Sequence, residues 1–368
     1  MKILHVYKDY YPVLGGIENH VRLLAEGQAR RGHDVTVLVT NTARGTVVEE
    51  RNGVRVIKAG RLANVSSTPL SLSFPWQLAR LRPDIAHLQF PYPPGEVSNW
   101  LLGRAKCTVI TYQSDVVRQQ GWLKLYRPIM WRVLRAADHL VASSSNYVTS
   151  SPYLSRLAEK CTVIPLGIEV ERFSERIRKA EEEPQDRPGG PLLLFVGRLR
   201  YYKGLQYLIQ AMDRVPASLL IAGTGPMEAE WSDLTTRLGL GEKVRFVGEV
   251  SDEELPALYR SADVFVLPAS HRSEAYGLVQ IEAMASGTPV VCTELGTGTS
   301  WVNRHGETGL VVPPRDPAAL AAALNRMLDD DELREAMGAR AAARVRSELS
   351  SEVMIDRVLG LYAELLGT

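Results

Sequence analysis

Short apolar runs alternate with helix-length amphipathic segments along this chain, and the alternation occurs twice. In the first half, apolar strands are expected over 3–6, 35–39, 54–57, 85–88, 108–111 and 140–142. Between the first two lies a helical stretch over 17–31, with Ile17, Val21, Leu24, Ala25 and Gln28 on one face and Gly32 as its stop. In the second half, strands are expected over 192–196, 218–222, 244–248, 264–268 and 289–293, with a helix over 203–212. From Pro317 onward the chain reads as successive helices. Near-continuous apolar strands separated by helices form a parallel sheet covered on both faces, because each crossover helix must bury its apolar stripe against the sheet. The expected class is therefore α/β, with two Rossmann-like domains.

The two halves are separated by a charged stretch rich in Pro and Gly, ERIRKAEEEPQDRPGGP, a linker composition. This places an N-terminal domain at 1–168, a linker at 169–190 and a C-terminal domain at 191–349. The near-neutral total charge of +1 conceals an asymmetry. Residues 1–168 carry 21 Lys and Arg against 11 Asp and Glu, a net +10, and the remainder carries −9. A basic half suits an anionic ligand or an anionic membrane surface. The three scattered cysteines, Cys107, Cys161 and Cys292, have neither disulfide-framework nor zinc-ligand spacing and point to a reducing compartment. No leader-like or membrane-spanning apolar run is present in the sequence given, so a cytoplasmic location is expected.

Three constellations could carry chemistry. Gly15-Gly16 follows the first strand and opens a helix. Glycines there allow close backbone approach, and the helix start offers free N–H groups to an anion; the spacing alone equally fits a plain βα turn. Gly197-Arg198-Leu199 and Lys203-Gly204 follow the strand LLLFV. Their two cations could converge on one diphosphate, or both could be solvated. The third is SEAYGLVQIEAMASGTPVV, in which Glu274 lies in a loop and Glu282 lies in a helix expected to start near Gly277. Two carboxylates can accept hydrogen bonds from sugar or ribose hydroxyls. The N–H groups of Gly277, Leu278 and Val279 could hold an anion.

Taken together, Gly-Gly after the first strand, then GRL and KG, then two glutamates with a seven-residue spacer, then A-M-A-S-G-x-P, resemble glycosyltransferase family 4, the retaining enzymes of GT-B fold. The resemblance spans essentially the whole chain. It implies that Arg198 and Lys203 hold the donor diphosphate, that Glu274 contacts the transferred sugar, and that Glu282 contacts the nucleotide ribose. It further implies that Gly277, Leu278 and Val279 line the sugar and phosphates, that Gly15 and Gly16 lie near phosphates and acceptor, and that a helix near 350–368 returns to the N-terminal domain. Neither cofactor nor metal is implied; the donor is a nucleoside diphosphate sugar. The text VQIEAMASG and WVNRHGETGL is similar to bacterial mannosyl or rhamnosyl transferases of surface polysaccharide, which favours a GDP-linked sugar over a UDP-linked one and a glycan or lipid-linked acceptor. Two other readings are a GT-B sugar-nucleotide epimerase and a catalytically impaired nucleotide- or glycan-binding homologue.

Gln113, in TYQSDVVRQ, stands where the family often has a histidine that touches the donor sugar. Glutamine can hydrogen-bond a hydroxyl but cannot take a proton at neutral pH. Natural divergence, a changed sugar preference and an engineered substitution all remain open. Gln89 likewise replaces a frequent histidine, and Asp115 is a nearby acid. The stretch 116–137 interleaves Arg118, Lys124, Arg127, Arg132 and Arg135 with Trp122, Tyr126, Met130 and Trp131. It reads either as a crossover helix with a buried aromatic face or as an interfacial helix on the inner face of a membrane. Nucleic-acid binding lacks any accompanying motif. Of the scattered histidines, His271 is the one close to a candidate site residue, Glu274.

Overall fold

A computed structural model describes residues 1–13, 15–65, 68–115, 120–174 and 189–368, with the side chains of 120–125 and Ser174 outside the description. The chain divides into two compact units, Met1–Gly167 with Ser351–Thr368, and Ile168–Ser350.

In the first unit the strands are β1 (Lys2–Val6), β2 (Asp34–Thr40), β3 (Val47–Arg51), β4 (Val54–Ala59), β5 (Ala63–Val65), β6 (Thr68–Leu70), β7 (Ile85–Phe90), β8 (Cys107–Tyr112), β9 (His139–Ala142) and β10 (Cys161–Val163). Eight of them form one sheet in the order β10-β9-β8-β7-β1-β2-β4-β3, parallel except for β3 against β4. That hairpin turns at Asn52-Gly53, both at positive φ, the pair a two-residue β-turn requires. The strand order reverses between β1 and β7, so the loops after them flank the crevice where open α/β sheets take ligands.

The last helix, Ser351–Leu366, packs on helix Gly16–Arg30. A Cβ on Gly27 would lie 2.2 Å from Ile355 Cδ1, so the glycine is what lets the two helices approach. Arg31 pairs with Glu352 at 2.6 Å and Asp356 at 2.9 Å. Those pairs are solvent-facing, so most of the attachment comes from buried Met354, Ile355, Val358, Leu361 and Tyr362.

The second unit has β11 (Leu192–Val196), β12 (Ser218–Ala222), β13 (Val244–Gly248), β14 (Val264–Leu267), β15 (Val290–Thr293) and β16 (Gly309–Val312), all parallel in the order β13-β12-β11-β14-β15-β16. Every residue of β11, β14 and β15 is buried, as a sheet sandwiched by helices demands. Here the order reverses between β11 and β14.

Several expectations are corrected. Residues 169–174, placed within the expected linker, are folded into the second unit: Ile168 bridges Ser350, and Phe173 is buried with its ring edge-on to Tyr259. Apolar Ile168, Val170 and Phe173 outweigh the charged residues beside them. The rest of the expected linker, 175–188, lies outside the described residues. The helix expected over 203–212 is a 3₁₀ turn, Tyr201–Lys203, then Gly204 at φ 67°, then helix Leu205–Ala211. Left-handed backbone at Gly204 cannot continue a helix. Within 116–137, positions 116–119 and the side chains of Trp122 and Lys124 lie outside the description. The described part of helix Gln120–Ala136 buries Met130, Val133 and Leu134 and exposes Arg127, Arg132 and Arg135, the face division of a crossover helix. No described helix is long and apolar enough to cross a membrane.

Candidate functional site

In the second unit the site forms where the strand order reverses. β11 ends at Val196, and the following loop carries Gly197 at φ 147° and exposed Arg198 before it turns through Tyr201–Lys203. Gly204 brings this turn against the end of β14. A Cβ there would lie 2.2 Å from the Pro268 carbonyl oxygen, and Ser270 N donates to Tyr202 O at 2.9 Å. The side chain of Lys203 is thereby directed at the loop after β14, and its Nζ lies 2.7 Å from Glu274 Oε2. Both residues are less than a tenth exposed. Burial alone would lower the pKa of the Lys203 ammonium, but the charge and hydrogen bond of Glu274 outweigh it and raise the pKa above its usual value. The structure therefore joins Lys203 to Glu274, 71 residues apart, while Arg198 stands exposed on the same loop.

The Glu274 loop is fixed from a third direction. Thr297 Oγ1 donates to Glu274 O at 2.9 Å, and Gly298 N donates to Ala275 O at 2.7 Å. Gly298 is required there, because a Cβ would lie 2.4 Å from the Tyr276 ring. Helix Leu278–Ala285 starts one residue later than expected. Gly277 at φ 80° is its cap, so the chain turns sharply enough to aim the N–H groups of Leu278 and Val279 out of the helix start. Glu282 lies on this helix, and Tyr259 donates to its Oε2 at 2.7 Å. Burial raises the pKa of the Glu282 carboxyl, opposed by the Tyr259 hydrogen bond and by the charges of Arg172 and Lys203. Thus both glutamates sit within the influence of the one Lys203 ammonium. His271 does not reach the pair; it is bonded to Ser273 Oγ at 3.0 Å and braces its own loop.

The first unit holds the remaining expected residues at the corresponding edge of its own sheet. Gly15 precedes helix Gly16–Arg30, and a Cβ there would meet Glu18 Oε2 at 2.2 Å. Glu18 thus folds over the helix start, 3.7 Å from Lys8, so this helix end already has a carboxylate of its own. Gln113 is buried, and its Nε2 donates to Gln89 Oε1 at 2.8 Å. Asp115 Oδ1 accepts from Tyr112 at 2.9 Å and Ser151 at 2.8 Å, while its N–H donates to the Tyr147 hydroxyl at 2.7 Å. These bonds hold the loop after β8.

Behind Gln89 runs a buried polar layer that pattern reading misses. His87 is bonded to Thr111 Oγ1 at 2.6 Å and to the Tyr362 hydroxyl at 2.5 Å, and His5 to Gln28 Oε1 at 2.7 Å. His5 and His87 are register partners on adjacent strands, and the Tyr362 bond ties the last helix to the sheet. Alternation of His87 and Gln89 along β7 was a usable signal, since both side chains face the same way. Tyr259 and Thr297 carry no comparable mark in the sequence.

The sequence profile described as Glycosyl transferases group 1 matches residues 165–344, and that described as Glycosyltransferase Family 4 matches residues 14–172. D-rhamnosyltransferase WbpZ of Pseudomonas aeruginosa is 38% identical over 94% of this chain and 91% of its own length. The O-antigen chain mannosyltransferase C of Escherichia coli is 37% identical over 100% of this chain and 99% of its own. This chain belongs to glycosyltransferase family 4. Among solved structures, the sucrose-phosphate synthase of Thermosynechococcus elongatus superposes with a TM-score of 0.81 at 26% identity, covering 99% of each chain. The fold is GT-B, built from two Rossmann-like units, and the matched span 165–344 includes Glu274 and Glu282.

Proposed function

We propose that this glycosyltransferase moves a hexose, mannose or a close relative, from a GDP-linked donor to an acceptor hydroxyl, with retained anomeric configuration and without a metal. The acceptor in this reading is a glycan or lipid-linked glycan of polysaccharide or glycolipid biosynthesis. The enzyme would work in the cytoplasm in peripheral contact with the inner face of a membrane. The sugar assignment is supported by the names of the two relatives above, a D-rhamnosyl and a mannosyl transferase; rhamnose is 6-deoxymannose.

The observation that carries the chemistry is the Lys203–Glu274 pair, 2.7 Å apart at the strand-order reversal of the second unit. Cleavage of a glycosyl–diphosphate bond develops negative charge on the departing phosphate. A buried ammonium already held in place, with Arg198 and the N–H groups of Gly277, Leu278 and Val279, would stabilise that charge without reorganising. Glu274 would accept hydrogen bonds from hydroxyls of the sugar, and Glu282 from the ribose. Gly15 and Gly16 would border the phosphates, and Gln113 would offer its amide to the sugar. Asp115 would act through the loop it holds.

The test is a thermal-shift panel of GDP, UDP, ADP and dTDP, joined to turnover of GDP-mannose. A nucleotide at 100 times its dissociation constant adds about 2.7 kcal/mol, so GDP should stand apart. Glu274→Ala and the isosteric Glu274→Gln should both lose transfer while keeping the GDP shift. Turnover unaltered in either variant would reject the site, and a UDP shift exceeding that of GDP would reject the donor.

A further inference from the structure

The first unit carries an apolar and basic face that its own fold leaves uncovered. Helix Pro93–Leu102 ends in three consecutive large apolar residues, Trp100, Leu101 and Leu102, exposed by 40%, 64% and 42%. Beside it packs helix Ser73–Arg80, whose Trp76 is 53% exposed. Three consecutive positions span most of a helical turn, so they cannot all face the sheet. Exposure here is a feature of the sequence as well as of the packing.

The charges around this face that lack a partner are basic, and the neighbouring Asp84 is taken up by Lys106. The Arg80 guanidinium lies 3.1 Å over the Trp76 ring. Arg82 and Arg104 are exposed on the segments that follow the two helices. Those segments are held together, since Lys106 pairs with Asp84 at 2.8 Å and donates its backbone N–H to Asp84 O at 3.1 Å. No Asp or Glu occurs within 72–83 or 97–114. Among the described residues, Arg80, Arg82 and Arg104 have no acidic partner.

We infer that this face, with Trp76, Trp100, Leu101 and Leu102 flanked by Arg80, Arg82 and Arg104, docks the enzyme on an anionic bilayer. The inference deepens the peripheral contact proposed above and rests on it. Tryptophan places its amphipathic ring at the headgroup level, and leucine enters the acyl boundary. Arginine reaches anionic headgroups while its stem stays on apolar surface. A second copy of this chain is a poorer occupant, because a symmetric contact would set the arginines of one copy against those of the other. Acidic residues that would relieve that repulsion are absent from both helices' exposed ends.

The experiment is co-sedimentation of the full chain with vesicles of phosphatidylglycerol and phosphatidylcholine, compared with phosphatidylcholine alone. The wild type should partition onto the anionic vesicles, less so at high salt. The triple variant Arg80→Ser, Arg82→Ser, Arg104→Ser should lose about a hundredfold of that partition. The double variant Trp100→Ser, Leu101→Ser should lose it at least tenfold. Equal partition onto both vesicle types, or variants that bind like the wild type, would overturn the inference. So would a concentration-dependent dimer that the double variant abolishes. Donor turnover with acceptor in solution is followed in parallel and should be the same in every form. Turnover absent in all forms would instead count against the proposed reaction and leave the vesicle result to be read by itself.

Discussion

Replacing His20 with leucine should make this protein less sensitive to mild acid. His5, His20 and His87 are enclosed within the first unit. Burial pushes the pKa of His5 down from 6.5 to about 4, partly offset by its bond to Gln28. Burial, with the nearby charge of His5, pushes that of His20 down to about 3 and that of His87 well below 6.5. In each case the folded value is below the unfolded one. Between the two values the unfolded chain binds a proton that the folded chain refuses. Stability is therefore complete above pH 6.5 and falls as the pH drops toward 4. At about pH 5.5, one unit below the unfolded value, each ring weakens folding by about tenfold, on the order of 1–2 kcal/mol. That figure hardly changes with the depth of the folded value once it lies below about 5. His20 is the ring to remove, because neither of its nitrogens has a partner among the described residues, so leucine breaks no hydrogen bond. Urea unfolding of wild type and His20→Leu at about pH 7.5 and about pH 5.5, followed by tryptophan fluorescence, reads the effect. The stability difference between the two should move about tenfold toward the variant on acidification. Carboxylates titrate alike in both and cancel. A difference that does not change with pH would refute the reasoning.

Two further outcomes follow from the second unit. Gly204→Ala would place a Cβ 2.2 Å from Pro268 O at a φ of 67°, displacing the turn that presents Lys203. The KM for the sugar donor should rise at least about tenfold, since the backbone strain alone is ~1–2 kcal/mol, and an unchanged KM would show that the turn does not set the site. Tyr259→Phe leaves Glu282 Oε2 without its 2.7 Å donor, and donor KM should rise about fivefold or more with kcat nearly constant. A fall in kcat at constant KM would place Glu282 elsewhere than on the ribose.

Much of the architecture is legible from periodicity alone. Most strands buried on two faces appear as largely apolar runs, and expected and observed limits differ by at most two residues. Some short or edge strands carry no such mark: β3 reads VVEER and is largely exposed, and β10 is only Cys161–Val163. The Asn52-Gly53 turn was a local signal that periodicity overlooks. Gly197, Gly204 and Gly277 were visible as glycines and all take positive φ, but for Gly204 the reason also lies in a neighbour far along the chain, Pro268.

By itself the sequence determined the α/β class, the two-part organisation and the motif block that marks a glycosyltransferase, because helix and strand periods and local turn chemistry are written in consecutive residues. Only the tertiary structure decided that Lys203 meets Glu274, that Tyr259 supports Glu282, that residues 168–174 join the second unit, and that Tyr362 closes on His87. Each joins residues remote in sequence, and the pairing is set by which apolar faces can be buried together. No periodicity within either segment records its partner.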